Sequence, residues 1–277
     1  VLLPLISKAF PSVLSYNEVI SSDSNFIPFN LPPRELILII DTSLAGATSS
    51  TQFKIEVNSS TAVYSVEWGD GQKDLNITND ITHTYASSGI YQVKITGNTY
   101  LYYISSNDGD KIIEIRFFGV DWKPVSLFRN FYNCSNFDIH SKIVPNFPNS
   151  VSAYEMFRNA VSMTGKHANW EWDLTRVTNV ANMFFGCTVF DADLSKFKIH
   201  TINNGGASSL SSLFYNCQSF NNGGNPDIAN WDTSNVTNLT QTFYNCDSFN
   251  QPIGSWDTSN VTSFNQTFYS ANIFNQN

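Results

Sequence analysis

Apolar and polar positions follow two different rhythms along this chain. From Glu35 to about residue 97 the apolar residues alternate with polar ones or form short runs: "ELILIID" (Glu35–Asp41), "QFKIEV" (Gln52–Val57), "YSVEW" (Tyr64–Trp68), "ITHTY" (Ile81–Tyr85) and "YQVKIT" (Tyr91–Thr96). A period of two in β-branched and aromatic residues predicts strands. Turn residues separate them, as in "GDGQ" (Gly69–Gln72) and "SSG" (Ser87–Gly89), where glycine accepts a positive φ. Several short strands at this spacing predict a β-sandwich over residues 36–98.

Beyond residue 99 the rhythm becomes a repeat. Phe131, Phe157, Phe184, Phe214, Phe243 and Phe268 follow one another at steps of 26, 27, 30, 29 and 25 residues. Trp172, Trp231 and Trp256 each lie 12 residues before their phenylalanine. Within one unit, Val236, Leu239, Phe243 and Cys246 are spaced by 3, 4 and 3, which predicts one face of a short helix. Asp232, Thr233, Ser234 and Asn235 precede it as candidate caps. Asn245, with Asn133, Asn159, Asn216 and Gly186 at the same place in other units, predicts a left-handed helix end. Each unit is thus expected to be a strand, a turn and a short helix. None can bury its apolar side alone, so about six units of 25–30 residues should stack into a solenoid over residues 99–277.

Residues 1–35 read differently again. Pro4, Pro11, Pro28, Pro32 and Pro33 exclude regular structure, while Leu2, Leu3, Leu5, Ile6 and Phe10 ask to be buried. This predicts an extended apolar arm, packed on its own domain or docked on a neighbour. The chain also stops inside a repeat at "FNQN" (Phe274–Asn277). An uncapped solenoid end and the arm are the two places where an assembly partner is expected.

Composition narrows the function. Of 277 residues only 14% are charged, and the net charge is -8. No basic cluster stands out, so nucleic acid is not the expected partner, and no apolar run approaches the ~20 residues of a spanning helix.

Two stretches carry family resemblances. "YSVEWGDG" (Tyr64–Gly71) with "THTYASSGIYQVKI" (Thr82–Ile95) resembles the PKD domain, an immunoglobulin-like sandwich. That likeness implies an extracellular spacer or adhesion module without catalytic residues, and makes His83 a structural turn residue. "NVTNLTQTFYNCDSFNQPIGSWDTSNVT" (Asn235–Thr262) resembles the repeats of BspA-like leucine-rich-repeat surface proteins. The likeness runs from about Leu101 to Asn277, with "DKIIEIRFFGVDWKPVSLFRNFYNCSNF" (Asp110–Phe137) as its leading unit (about 99–137). The pair of resemblances implies a bacterial cell-surface protein, or a viral or phage surface protein.

The candidate chemistry dissolves into the repeat. Cys134, Cys187, Cys217 and Cys246 each follow the repeat phenylalanine by three residues, and Ala160 and Ala271 replace them elsewhere. Where Cys and Ala interchange, a small buried site is expected rather than a metal centre or a nucleophile. "NDGDK" (Asn107–Lys111) and "DADL" (Asp191–Leu194) could hold calcium but read as solvated loops. His140, His167 and His200 show no common register in the sequence. No phosphate loop or nucleophile elbow occurs. The sequence is therefore read as non-enzymatic, with no cofactor and no metal. The candidate binding surface is the row directly after the repeat phenylalanine: Tyr132, Tyr215, Tyr244 and Tyr269, with Arg158 and Phe185 in the remaining units. Tyrosine offers contact area with a polar tip, which suits adhesion to a protein or glycan on a cell or particle surface. The alternative expectation is a virion or other assembly component anchored by its arm.

Overall fold

The computed structural model describes residues 34–57, 63–98, 108–119, 124, 126–145, 147, 151–199 and 208–276. The arm, apart from Arg34 and Glu35, lies outside the described residues, as does His200.

Five strands appear where the alternating pattern expects them, β1 (Leu36–Asp41), β2 (Gln52–Ile55), β3 (Val63–Glu67), β5 (Ile81–Thr84) and β6 (Ile90–Asn98), and a sixth that the pattern did not mark, β4 (Lys73–Ile77), follows the Gly69–Gln72 turn. Two more, β7 (Ile112–Phe117) and β8 (Asp138–Ile139), extend the main sheet, whose order is β4-β3-β6-β1-β7-β8. β2 and β5 form a separate antiparallel pair. Phe53 and Ile55 of that pair share one apolar core with Leu36, Leu38, Ile40, Val66, Val93 and Ile95 of the main sheet. β1 is central, with β6 antiparallel on one side and β7 antiparallel on the other. Leu36 to Ile40 are all buried, and burial on both faces explains why β1 reads as a continuous apolar run.

β7 ties the two regions together. It pairs antiparallel with β1 and parallel with β8, matching Glu114 to Asp138 and Ile115 to Ile139. The sheet therefore crosses the boundary expected near residue 98. A buried ion pair reinforces the junction. Lys111 is fully buried, and its ammonium donates to the Thr48, Ser49 and Gln52 carbonyls and the Thr48 hydroxyl, 3.5 Å from Asp108. Asp108 in turn accepts from the Thr48 and Lys54 N–H groups and the Thr48 hydroxyl. Asp110 accepts from the Ser135 N–H and hydroxyl. The acids of the candidate calcium loop are thus occupied by protein donors.

From residue 127 onward the units stack as rungs. Short strands β9 (Val151–Ser152), β10 (Val177–Asn179), β11 (Ser208–Ser209) and β12 (Val236–Asn238) mark them, with β9–β10 and β11–β12 paired in parallel. The expected helix is not there. Among the described residues the helical pieces are three 3-10 turns of three to five residues: Gly109–Lys111, Asn222–Gly224 and Pro226–Asn230. After β12 the chain makes consecutive turns instead, closed by Thr242 N–H to Leu239 O and Cys246 N–H to Phe243 O. Two residues per unit, four apart, take positive φ: Gln241 (56°) with Asn245 (54°), and likewise Arg129 with Asn133, Glu155 with Asn159, and Ser212 with Asn216. A left-handed residue every fourth position cannot continue an α-helix. It turns alternate N–H groups toward the next rung. Leu239, Gln241, Phe243 and Asn245 donate to Ser263, Asn265, Thr267 and Tyr269 at 2.8–2.9 Å. Leu127, Arg129, Phe131 and Asn133 do the same to Ser152, Tyr154, Met156 and Arg158 at 2.8–3.0 Å. Alternate N–H groups are thus satisfied by the next rung, and those between them by the turns of their own rung, as with Tyr244 N–H to Gln241 O.

Asp232, expected to cap a helix, caps a turn instead, and so do its counterparts in other units. Asp173, Asp193 and Asp232 each accept the N–H and hydroxyl of the Ser or Thr two residues on, and Asp257 the N–H of Ser259.

The side chains form columns through the stack. Phe131, Phe157, Phe184, Phe214, Phe243 and Phe268 stack at 5.6–5.8 Å between ring centroids. A second column, Phe190, Phe220, Phe249 and Phe274, runs beside it at 5.8–5.9 Å. Trp172, Trp231 and Trp256 are buried as expected, and Phe197 fills the tryptophan slot between the first two. The four cysteines are free and buried. Cys187, Cys217 and Cys246 donate Sγ–H to the carbonyls of Phe157, Phe184 and Phe214, one rung back, at 2.9–3.0 Å. Burial holds these thiols well above their ordinary pKa, which disfavours the thiolate that a nucleophile or a metal ligand needs.

Candidate functional site

The outward face of the rungs carries the row that the sequence singled out. Each of these residues follows its core phenylalanine, so alternation along the chain turns it away from the core. The rings of Phe185, Tyr215, Tyr244 and Tyr269 stack at 4.3, 4.4 and 4.9 Å, nearly parallel in the first two pairs at 2° and 6°. The Arg158 guanidinium lies 4.0 Å over the Phe185 ring and 5.9 Å from that of Tyr132. The six positions Tyr132, Arg158, Phe185, Tyr215, Tyr244 and Tyr269 thus form one unbroken column. The first five are half-buried and Tyr269 is 54% exposed.

The column's first rungs are fixed by charge. Glu155, nearly buried, accepts from Arg129 at 2.5 Å and Arg158 at 2.7 Å. Phe128 and Tyr154 stack beside them at 5.6 Å. Arg129 and Glu155 are both left-handed residues. Neither Arg nor Glu is a residue type that favours that conformation, so nothing in the chain marked these two positions. The edge of the column is lined by the second left-handed position. Asn159 Nδ2 donates to Asn133 Oδ1 at 2.8 Å, and Asn245 Nδ2 to Asn216 Oδ1 at 2.9 Å. Gly186 (φ 74°) interrupts this amide row, and a Cβ there would meet Asn159 Oδ1 at 2.3 Å.

His83 lies on β5 rather than in the turn where the resemblance placed it. It is 7% exposed, stacks on Trp68 at 4.6 Å and bonds Asp70 Oδ2 at 2.9 Å. Tyr85 donates to the Trp68 carbonyl, and Trp68 Nε1 donates to Asp74. Gly69 (φ 87°) permits the tight turn between them, since a Cβ would lie 2.6 Å from the Gln92 carbonyl. Burial opposes ionisation of Asp70, but the Gln72 N–H and His83 outweigh it and hold the carboxyl below its ordinary range.

The structure corrects one reading of the histidines. His140 and His167 do occupy matching places on adjacent rungs, with ring centroids 4.8 Å apart. Asp138 lies beside them, and each of the three offers a ligand atom within 4.8 Å of the other two. A shallow groove nearby, lined by Trp170, Glu171, Asp193 and Lys196, is crossed by the Lys196–Glu171 ion pair. The oxygens of the second candidate calcium loop are engaged: Asp191 holds the Asn221 and Gly223 N–H groups, and Asp193 holds Ser195 and Asn225.

These features define a mainly β protein whose repeat units stack in parallel over more than half its length. A family model described as "Mycoplasma protein of unknown function, DUF285" matches residues 125–225 and again 198–277, and the chain belongs to that family. The match is compatible with the BspA-like repeat resemblance. Nothing matches among curated proteins or among solved structures.

Proposed function

We propose that this is a non-enzymatic, surface-exposed recognition protein: an immunoglobulin-like, PKD-like spacer carrying a leucine-rich-repeat-like solenoid that binds a protein or glycan partner outside the cell. The observation that carries the reading is the outward column from Tyr132 to Tyr269. Stacking fixes its rings before any partner arrives, so little side-chain entropy is lost on binding. Their hydroxyl tips and apolar faces together suit a flat glycan face or an extended peptide. The spacer reading is supported by two sheets sharing one core and by the Trp68–His83–Tyr85 cluster built from the resembling motifs. The alternative, an assembly component anchored by residues 1–35, rests on residues outside those described, and no described residue favours it.

The test is adhesion of beads coated with the purified protein to cultured animal cells, before and after enzymatic deglycosylation. Tyr215→Ala/Tyr244→Ala/Tyr269→Ala should reduce adhesion at least ~10-fold while the far-ultraviolet circular dichroism spectrum shows the fold retained, the scale on which a few central aromatic contacts dominate binding. Adhesion that survives the triple substitution, or none by the wild type, sinks the reading.

A further inference from the structure

The geometry points to a divalent metal site for zinc, or a metal of similar preference, formed by Asp138, His140 and His167 at the junction of the main sheet and the first rungs. Asp138 lies in β8 and His140 directly follows that strand, still bonded through its N–H to Ile115 O at 2.9 Å, so at two residues' spacing their side chains leave the same face. His167 comes from the next rung. Its segment is anchored there by Asn169 N–H to Ser141 O at 2.9 Å and Lys142 Nζ to His167 O at 2.5 Å. The three ligand atoms lie within 4.8 Å of one another. Ligands around a tetrahedral zinc at its usual bond lengths are roughly 3.4 Å apart. Closing that gap takes a small rotation of two exposed imidazoles, and the backbone need not move.

The surroundings are arranged as a metal site requires. Glu114 Oε1 sits 3.5 Å from His140 Nδ1, across the β7–β8 pairing. A carboxylate there keeps the proton on Nδ1 and leaves the Nε2 lone pair for a metal. Two cations lie beside the site: Arg116 is held on Glu114 by two bonds of 2.9 Å, which neutralises much of its repulsion, and Lys142 donates to the His167 carbonyl. Both oxygens of Asp138 are already hydrogen-bonded, Oδ1 by the Ile139 and Gly165 N–H groups at 2.7 and 3.0 Å and Oδ2 by the Thr164 hydroxyl, so a metal would take the acceptor position that remains on Oδ2. Two imidazoles and one carboxylate favour zinc, nickel or copper over calcium or magnesium, which take oxygen ligands. Three protein ligands leave a position open for water or for a side chain of another molecule. The site is separate from the tyrosine column, so the two readings stand or fall independently.

The experiment is isothermal titration of tag-free protein with zinc chloride, with calcium chloride as the comparison. One zinc per chain should bind with a dissociation constant of about 10 μM or tighter, and calcium should give no heat. His167→Ala should weaken zinc at least ~10-fold while leaving the metal-free melting temperature unchanged, because that side chain is exposed. In the wild type, zinc should shift the NMR signals of the His140 and His167 imidazoles and leave His83 unmoved. No zinc binding, equal affinity in His167→Ala, or shifts at His83 alone would overturn the assignment.

Discussion

Phe214→Ala probes what holds the rungs together. The ring is fully buried and sits between Phe184 and Phe243, each 5.7 Å away, with Phe220 at 4.0 Å and Trp231 at 6.4 Å. Removing it forfeits the burial of a large aromatic, about 1.5–3 kcal/mol. A cavity also remains, because the flanking backbone cannot collapse into it. Phe184 N–H is tied to Leu213 O, and Phe214 N–H to Thr242 O, at 3.0–3.1 Å. The total should reach about 4 kcal/mol, in the middle of the range for such truncations. Urea denaturation followed by tryptophan fluorescence measures it, with Trp231 as a local reporter. The companion is Cys246→Ala, which removes one sulfur and one weak bond at a position where Ala160 and Ala271 already serve. It should cost about 1 kcal/mol or less. A Phe214→Ala cost below about 1.5 kcal/mol, or parity between the two variants, would refute the idea that the phenylalanine column carries the stack. A halved denaturant slope would mean instead that the stack splits at this rung and melts in parts.

Other outcomes follow from the same structure. Lys111→Met leaves Asp108 as a buried charge without its counter-ion and should cost about 3–5 kcal/mol in chemical denaturation; a neutral result would remove the junction's ion pair from the account. Gly186→Ala forces a Cβ onto Asn159 at a positive φ and should lower stability by at least ~1–2 kcal/mol, whereas Asn245→Gly should be nearly silent. Asp70 has a lowered carboxyl pKa in the folded state, so its contribution is present above the ordinary aspartate pKa and is lost as pH falls through the depressed value. Asp70→Asn should therefore flatten the acid limb of the stability–pH curve below about pH 4 and leave its neutral-to-basic shape intact; an unchanged acid limb would contradict this.

Much of the stack was legible in the chain. Phenylalanine, cysteine and tryptophan recur at fixed places, and each lies where a recurring apolar residue must. The left-handed turn at Asn133, Asn159, Asn216 and Asn245 was readable because asparagine tolerates that conformation better than most residues. The helix was a misreading with a physical cause. Steps of 3 and 4 put residues on one side of an α-helix, but successive four-residue turns do the same. Which one forms depends on where the N–H groups go, and a single unit cannot reveal that a neighbouring rung receives them. His140 and His167 escaped notice because unit lengths vary, so equal places in space are unequal distances along the chain. The role of β7 was hidden too, since its partners β1 and β8 lie in regions of different rhythm.

Most rungs offer their successor the same alternate donors and a core phenylalanine face, and the last full rungs also share the tryptophan and the outer tyrosine. Removing or duplicating one of those last rungs would therefore leave each remaining contact with an equivalent partner. Length in such a chain is quantised, changing by one rung of roughly 4.8 Å at a time. A gene encoding it can lengthen or shorten by unequal recombination between near-identical repeats without a new core having to evolve. The tyrosine column would grow or shrink in step, so reach and number of contacts are adjustable by one genetic event.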